Sequence, residues 1–342
     1  MSFLVSNEFL ILQNPGAYWK PQPPYFPTPE NKELLREAGI QTSLEHLDWS
    51  IIEPEEGDYD FSSIEETLEI NRNAGMKTLF PVPGELAPAW MPNEWMLQQD
   101  NGNTEMRGDA VDYRNISFWN EEAKNYLDEY LRVLISQYHA PDVLFIHAES
   151  QGGEGLLPCG QHFYHDPAAI ADYKVWYGTD AYPNVATQDT KDWLQASAIQ
   201  RLLRIYDIIN KHGEVWNQQQ LLMNEWDEAT INYAQHDIFR AYKDIFPSSN
   251  LTLLQYTYYD DAHLDHHRAH VDSIKNEFQA DIIVEAMYCQ GLPTTTPASI
   301  EKGYRGQILG VAHPIAPTNN LEEWQVEAIR TSHETWLESL QS

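Results

Sequence analysis

Short apolar runs alternate along the chain with longer stretches whose apolar residues recur every three to four positions. The first pattern suits buried strands and the second suits amphipathic helices. The strand-like runs are Glu8–Gln13, Thr42–Leu47, Lys77–Val82, Val143–Ala148, Leu221–Asn224, Leu251–Tyr258, Ile282–Glu285 and Gln307–Ala312. Helical periodicity falls between them over Asn31–Ala38, Ile64–Asn73, Glu121–Tyr138, Trp193–Lys211, Ile238–Ile245, Val271–Phe278 and Ala298–Gly303. A closing helix over Leu321–Leu340 should pack on the last strand. Repeated strand–helix units build a parallel sheet, and eight of each is the count of a closed barrel. The expected fold is α/β, one (β/α)8 TIM barrel spanning residues 1–342 as a single domain. Its long connections, Pro83–Asn120 and Ser150–Asp192, follow the third and fourth strands, on the face where barrel active sites form.

Composition narrows the partners. Lys and Arg total 21 against 52 Asp and Glu, a formal charge of −31 over 342 residues. Such a field repels nucleic acid, anionic membranes and polyanionic sugars. Apolar residues make up 42% of the chain, enough for a large core, yet no apolar run approaches a membrane span. The N-terminus lacks a basic leader region, and Asn7 and Glu8 interrupt its apolar stretch. A soluble, cytoplasmic protein is the expectation, or a secreted one if a leader has been removed. Cys159 and Cys289 are the only cysteines, so neither a disulfide framework nor a Cys-rich zinc site is expected. Nothing in the composition sets an oligomeric state.

Several acids stand where strand-like runs stop. The seventh run ends on Glu285, and a carboxylate ending a buried strand is costly unless it is paired or functional. The fourth run leads through His147 and Ala148 to Glu149, and alternation puts His147 and Glu149 on one side. Five residues on, Glu154 sits in Gln151-Gly-Gly153-Glu154-Gly-Leu-Leu-Pro158, where glycines let a loop bend over the barrel mouth. Asn224-Glu225 ends the fifth run and would line the pocket, or take the strand-four place if one strand has been miscounted.

Sugars present apolar ring faces between hydroxyls, so their sites pair aromatic platforms with hydrogen-bonding groups. Trp90, Trp95, Trp226, Tyr256, Tyr258, Tyr259 and Tyr288 all follow strand-like runs, and together they favour a carbohydrate groove. His46 and His313 are further candidate hydroxyl contacts. Histidines in His263–His270 recur one helical turn apart, but two without a third ligand suit a solvated helix face better than a metal site. No phosphate-binding glycine motif and no Gly-x-Ser-x-Gly elbow occurs, so no cofactor, no metal and no serine nucleophile are expected.

The run Trp49-Ser-Ile-Ile-Glu53-Pro54-Glu-Glu-Gly57-Asp-Tyr59-Asp-Phe61-Ser62 leaves the second strand, turns at Pro and Gly, and should enter a helix capped by Ser62 or Ser63. Its aromatic anchors should make it a rigid wall beside the cleft, with Trp49 at the sugar. This run resembles a pattern after the second strand of clan A glycoside hydrolases such as family 42 β-galactosidases, and more loosely of family 14 β-amylases. The segment Gly153–Pro158 is similar to the one carrying the general acid of β-amylases. The resemblance implies a glycoside hydrolase acting on a neutral oligo- or polysaccharide without a cofactor. In the clan A pattern Glu285 would be the nucleophile, and Glu149 or Glu154 the acid/base, in a retaining mechanism. An inverting, β-amylase-like hydrolase is the alternative. Two departures, Ala148 where clan A enzymes carry Asn and His313 where they carry Trp, keep open a glycan-binding barrel without catalysis.

Overall fold

The computed structural model describes residues 10–13, 28–45, 47–82, 87–104, 106–107, 112–138, 143–149, 164–183, 188–212, 220–224, 240, 244, 252–256, 272–273, 275–279, 281–286, 289–304, 306–310 and 321–342, some of these by backbone alone. Eight strands run parallel: β1 (Leu10–Gln13), β2 (Thr42–Leu44), β3 (Lys77–Val82), β4 (Val143–Glu149), β5 (Gln220–Asn224), β6 (Thr252–Tyr256), β7 (Asp281–Ala286) and β8 (Gly306–Gly310). Each pairs with its neighbours in chain order, and β1 pairs with both β2 and β8, which closes the ring. Followed once round the ring, the register offsets return to the starting strand eight residues away. That displacement is the shear of a TIM barrel.

The helices described are α1 (Pro29–Glu37), α2 (Trp49–Ile52), α3 (Ser62–Asn73), α4 (Glu121–Gln137), α5 (Pro167–Tyr177), α6 (Gln188–His212), α7 (Leu292–Glu301) and α8 (Glu323–Ser339). Local signals set most of their ends. Thr28 accepts from Asn31 N ahead of Pro29, and Asn120 accepts from Ala123 N at 2.9 Å. After α1 the chain must pass under His333: a Cβ on Gly39, at φ +117°, would lie 2.4 Å from that ring. Glycine is required there.

The structure corrects four expectations. The second strand stops at Leu44 rather than Leu47, because Asp48 turns the chain by capping α2 through Ser50 N and Ile51 N. Ser62 and Ser63 do not cap α3; Phe61 holds that position, and Asp60 Oδ1 accepts from Ser62 N at 2.9 Å. Helix α5 lies inside the long connection Ser150–Asp192, where no helix was expected, started by Asp166-Pro167 and ended by Gly178 at φ +60°. Helix α7 begins at Leu292, six residues before the expected start, and carries Pro297 in its interior. Of the expected helix over 271–278, residues 272–273 and 275–278 are helical, whereas the one expected over 238–245 lies largely outside the described residues.

Two apolar clusters fill the layer between sheet and helices. One joins Phe80 and Val143 to Leu68 of α3, Leu127, Leu131 and Leu134 of α4, and Ile205 and Ile208 of α6. The other joins Leu309 to Leu35 of α1, Leu292 of α7, and Val326 and Ile329 of α8. Arg204 of α6 grips both carboxylate oxygens of Asp128 on α4, Nε to Oδ1 at 2.9 Å and the terminal nitrogen to Oδ2 at 2.8 Å.

A polar knot sits in the same layer. Lys32 Nζ of α1 meets Glu45 Oε1 at 2.6 Å, and Ser43 Oγ donates to that oxygen at 2.6 Å. Asn71 of α3 donates to Glu45 and to Thr78 Oγ1, and accepts from Lys32. All five are buried. Burial alone would raise the Glu45 carboxyl, but the Lys32 ammonium and the hydrogen bonds from Lys32, Ser43 and Asn71 outweigh it and hold the group below its ordinary value. Its stabilisation is thus present above the ordinary carboxylate range and lost as pH falls through it. Lys32→Met, which strands the buried charge, should cost about 3–5 kcal/mol in urea denaturation. The pair Lys32→Met/Glu45→Leu should recover much of that loss.

Candidate active site

The helix layer fixes which strand positions face inward. Thr78 bonds to Asn71 of α3, Phe80 and Val143 pack under α4, Gln307 accepts from Thr296 of α7, and Leu309 packs under α1. These positions share one face of the sheet, so the alternate positions stand on the barrel interior. Position 285 pairs with 308, between the helix-facing 307 and 309, and therefore stands on the interior face. By the same count the interior positions near the strands' C-terminal ends are 13, 44, 81, 148, 224, 256, 285 and 310.

This register sorts the expected site residues. Asn224 and Tyr256 are register partners on the interior face, and Glu285 stands on that face at the end of β7. His147 and Glu149 share one face with each other, as expected from alternation, but it is the helix-facing one, pairing with 221 and 223. Ala148 takes the interior position between them. Glu154, His46, Glu225, Trp226, Tyr258, Tyr259, Tyr288 and His313 lie outside the described residues.

The segment after β2 is organised by Glu53. This buried carboxylate accepts from Trp49 Nε1 at 2.7 Å through Oε2 and from Gly57 N at 2.9 Å through Oε1. Its carbonyl accepts from Trp90 Nε1 at 3.0 Å, which ties in the β3 connection. Gly57 adopts φ +74°, the left-handed conformation that closes the turn. Tyr59 stacks on Phe61, and Phe61 meets Tyr138, the residue capping the end of α4, edge-on. Trp49, expected at the sugar, is only 3% exposed and stacks on Tyr130 of α4 at 4.9 Å. It packs the wall instead of offering an open face. Trp90 and Trp95, both half-buried, contact Tyr126 of α4 at 5.2 Å.

The two long connections are locked to each other. Ala87 N bonds to Arg114 O and Ser117 N to Trp95 O, folding the β3 connection on itself. Gln98 bridges to Tyr164, and His165 N donates to Gln98 O at 2.9 Å. Ser117 Oγ donates at 2.8 Å to Asp166 Oδ1, which also caps α5 through Ala169 N. Trp119 stacks on Trp193 at 4.5 Å, with Tyr164 and Tyr173 edge-on to Trp193. Burial drives the Asp166 carboxyl from 3.8 up to about 6, against the hydrogen bonds it accepts. Its Oδ2 has no hydrogen-bond partner among the described residues. Sequence reading missed Asp166 and Glu53 as organisers, although Asp-Pro before a helical stretch is a recognisable start signal.

Among the described residues no group of His, Cys, Asp or Glu is arranged to hold a metal ion. Burial pushes the Cys289 thiol up to about 12, which leaves it inert as a nucleophile. No described helix is long and apolar enough to cross a membrane.

Residues 26–154 match the family model Glyco_hydro_42, described as beta-galactosidase. A beta-galactosidase from Arthrobacter sp. is 25% identical over 173 residues, covering 48% of this chain and 24% of that protein. The chain thus spans about a quarter of that relative's length. Among solved structures, the catalytic domain of beta-amylase from Paenibacillus polymyxa superposes with TM-score 0.65 at 12% identity, over 96% of this chain and 98% of that one. Beta-galactosidase from the psychrophilic Marinomonas ef1 gives TM-score 0.68 at 14% identity, over 97% of this chain and 60% of that one. The beta-galactosidase of the Antarctic haloarchaeon Halorubrum lacusprofundi gives 0.67 at 12%, over 96% and 58%. At such identities the structural likenesses show the fold, that of TIM-barrel glycoside hydrolases. Together with the family match they fit a clan A-like glycoside hydrolase.

Glu53→Ala should destabilise the chain by about 1–3 kcal/mol, since Trp49 Nε1 and Gly57 N lose their acceptors. Faster hydrogen exchange over residues 49–61 would report it.

Asp166 gives a prediction of opposite sign. A raised carboxyl pKa means the folded chain holds the proton more tightly, so this group's contribution falls as pH rises between 3.8 and about 6. Asp166→Asn keeps the acceptor for Ser117 and Ala169 without the buried charge. It should exceed wild type by about 1–3 kcal/mol near neutral pH, the gap closing around pH 4. Urea denaturation at both pH values checks this.

Proposed function

We propose that the chain is a β-galactosidase-like glycoside hydrolase that cleaves a neutral oligosaccharide by a retaining mechanism. In this reading residues 1–342 form one (β/α)8 domain, and the connections after β3 and β4 build the walls of its cleft. The observation that carries it is the interior-face position of residue 285 at the C-terminal end of β7, in a chain whose residues 26–154 match a beta-galactosidase family model. Barrel enzymes place their reacting groups at that end of the strands.

Glu285 attacks the anomeric carbon and forms a glycosyl-enzyme intermediate. A second carboxyl protonates the leaving oxygen and then, as base, draws a proton from water. Glu149 and Glu154 are the two candidates, on opposite arguments. Glu149 is the last residue of β4, where the chain leaves the ladder, but its position is on the helix-facing alternation. Glu154 follows on the glycine-rich loop that can return it to the mouth. Asn224, Glu225, Trp226, Tyr256, Tyr258, Tyr288, His46 and His313 supply hydroxyl contacts and ring platforms, with Trp90 at the edge of the wall. The net charge of −31 favours a neutral sugar over a polyanionic one.

A second reading, an inverting β-amylase-like hydrolase, is favoured by the beta-amylase neighbour, nearly all of whose catalytic domain is covered, and by the Gly153–Pro158 segment. The carboxyl separation divides the two, about 5–5.5 Å for retention and roughly 6.5–9.5 Å for inversion.

The test is a screen of aryl β-galactosides, other aryl glycosides and α-glucans, with the product anomer followed by NMR. Glu285→Gln should lower kcat on the order of 10³-fold or more. The acid is the residue whose change to Gln loses about 10²–10⁴-fold on poor leaving groups but far less on activated aryl glycosides. Full activity in Glu285→Gln would remove the nucleophile assignment. No turnover of any glycoside, with glycan binding retained, would leave a binding barrel.

A further inference from the structure

The shear of the barrel decides which interior positions are level with each other. One circuit of register pairs descends by eight residues over eight strands, so level positions advance one residue per strand relative to the register partner. The register partner of 285 is 308 on β8, and that of 308 is 11 on β1. Two strands on, the position level with Glu285 is therefore Gln13. The same count on the other odd strands gives Pro81 of β3 and Leu222 of β5. These four positions make one interior layer, built from alternate strands as barrel layers are.

The chemistry of that layer is lopsided. Pro81 and Leu222 carry no hydrogen-bonding side-chain group, and Gln13 is the one residue of the four with a side-chain donor. Between β7 and β1, strand β8 places Ile308 and Gly310 on the interior face, and Gly310 is the register partner of Gln13. A glycine there sets no side chain above the space between positions 13 and 285. A carboxylate inside a barrel needs hydrogen-bond donors to stay ionised and oriented. We propose, resting on the reading of Glu285 as nucleophile, that Gln13, level with it on the interior face two strands away, is its positioning residue. Tyr256 of the layer above is the competing donor, since the pairing of 255 with 284 puts it beside 285 on the ladder.

The test compares wild type, Gln13→Met, Gln13→Glu and Tyr256→Phe. A lost donor to the ionised form raises a carboxyl pKa, and an added carboxylate raises it further. The acid limb of kcat/KM should move up by about one pH unit in Gln13→Met and further in Gln13→Glu. In Gln13→Met, kcat should fall about 10–100-fold with KM nearly unchanged. A Gln13→Met profile that superposes on wild type, or a shift seen only in Tyr256→Phe, overturns the proposal. Thermal melts establish that each variant is folded, and Gln13→Asn, which keeps the amide one methylene short, stands in if Gln13→Met is not. A second readout needs no substrate. In urea denaturation of Gln13→Met, Glu285→Gln and the double variant, a coupled pair gives midpoint changes that do not add. Non-additivity in a protein that cleaves no glycoside would retain the pairing while removing the hydrolase reading. Additive changes would remove the pairing itself.

Discussion

Closure of eight parallel strands at a shear of eight is the constraint on which the other features depend. Once β1 bonds to both β2 and β8, no strand can slip by one residue without turning its helix-facing apolar positions inward. The contacts that enforce this are ordinary ones: Phe80 and Val143 under α4, Leu309 under α1, Thr78 and Gln307 bonded to helix side chains. Their consequence reaches the mouth of the barrel. They determine that 285 is an interior position and 149 is not.

The strand order and the count were legible because buried parallel strands read as short apolar runs, and seven of the eight were located within two residues at each end. The failures were at places where a polar side chain, with no apolar periodicity, ends or starts an element. Asp48 stops β2 by capping α2, and Asp166 opens α5 inside what composition marks as loop. Pro297 hid α7, whose buried face of Leu292, Thr295, Thr296 and Ser299 outweighs one missing backbone donor. The site was legible only as a set of strand ends. Period-two alternation does place His147 and Glu149 together, but which face they share is decided by Val143 and Thr78, through packing and pairing that no local pattern encodes.

Two walls flank the C-terminal end of the strands and are held by different means. The segment after β2 hangs on a buried carboxylate with two donors, Glu53, and on aromatic stacking against α4. The two long connections are joined by Ser117, Asp166 and the Trp119–Trp193 stack. The second arrangement carries a cost that the first does not. Asp166 is buried with one oxygen unpaired among the described residues and its carboxyl driven up by desolvation, whereas Glu53 spends both oxygens on donors. A β4 connection held by a group that is most stable when protonated is anchored least firmly at neutral pH, and it is the connection that carries Glu154.

Burial of an acid is therefore a poor guide to catalysis in this chain. Glu45, Glu53, Asp128 and Asp166 are all buried, and each has a structural account: an ammonium partner, two N–H donors, a guanidinium clamp, a helix cap. Glu45 shows the danger best, because it follows a barrel strand just as a catalytic carboxylate would, yet it belongs to the knot under α1 and α3. What separates position 285 from these is parity. Ser43 and Glu45 fall on the helix-facing parity of the sheet, and 285 falls on the interior one. An acid on the interior parity is separated by the sheet from Lys32 and Arg204, which lie in the outer layer. Its partners come instead from other interior positions, from the connections at the same end of the strands, or from the substrate, and the shear decides which interior residues stand at its level.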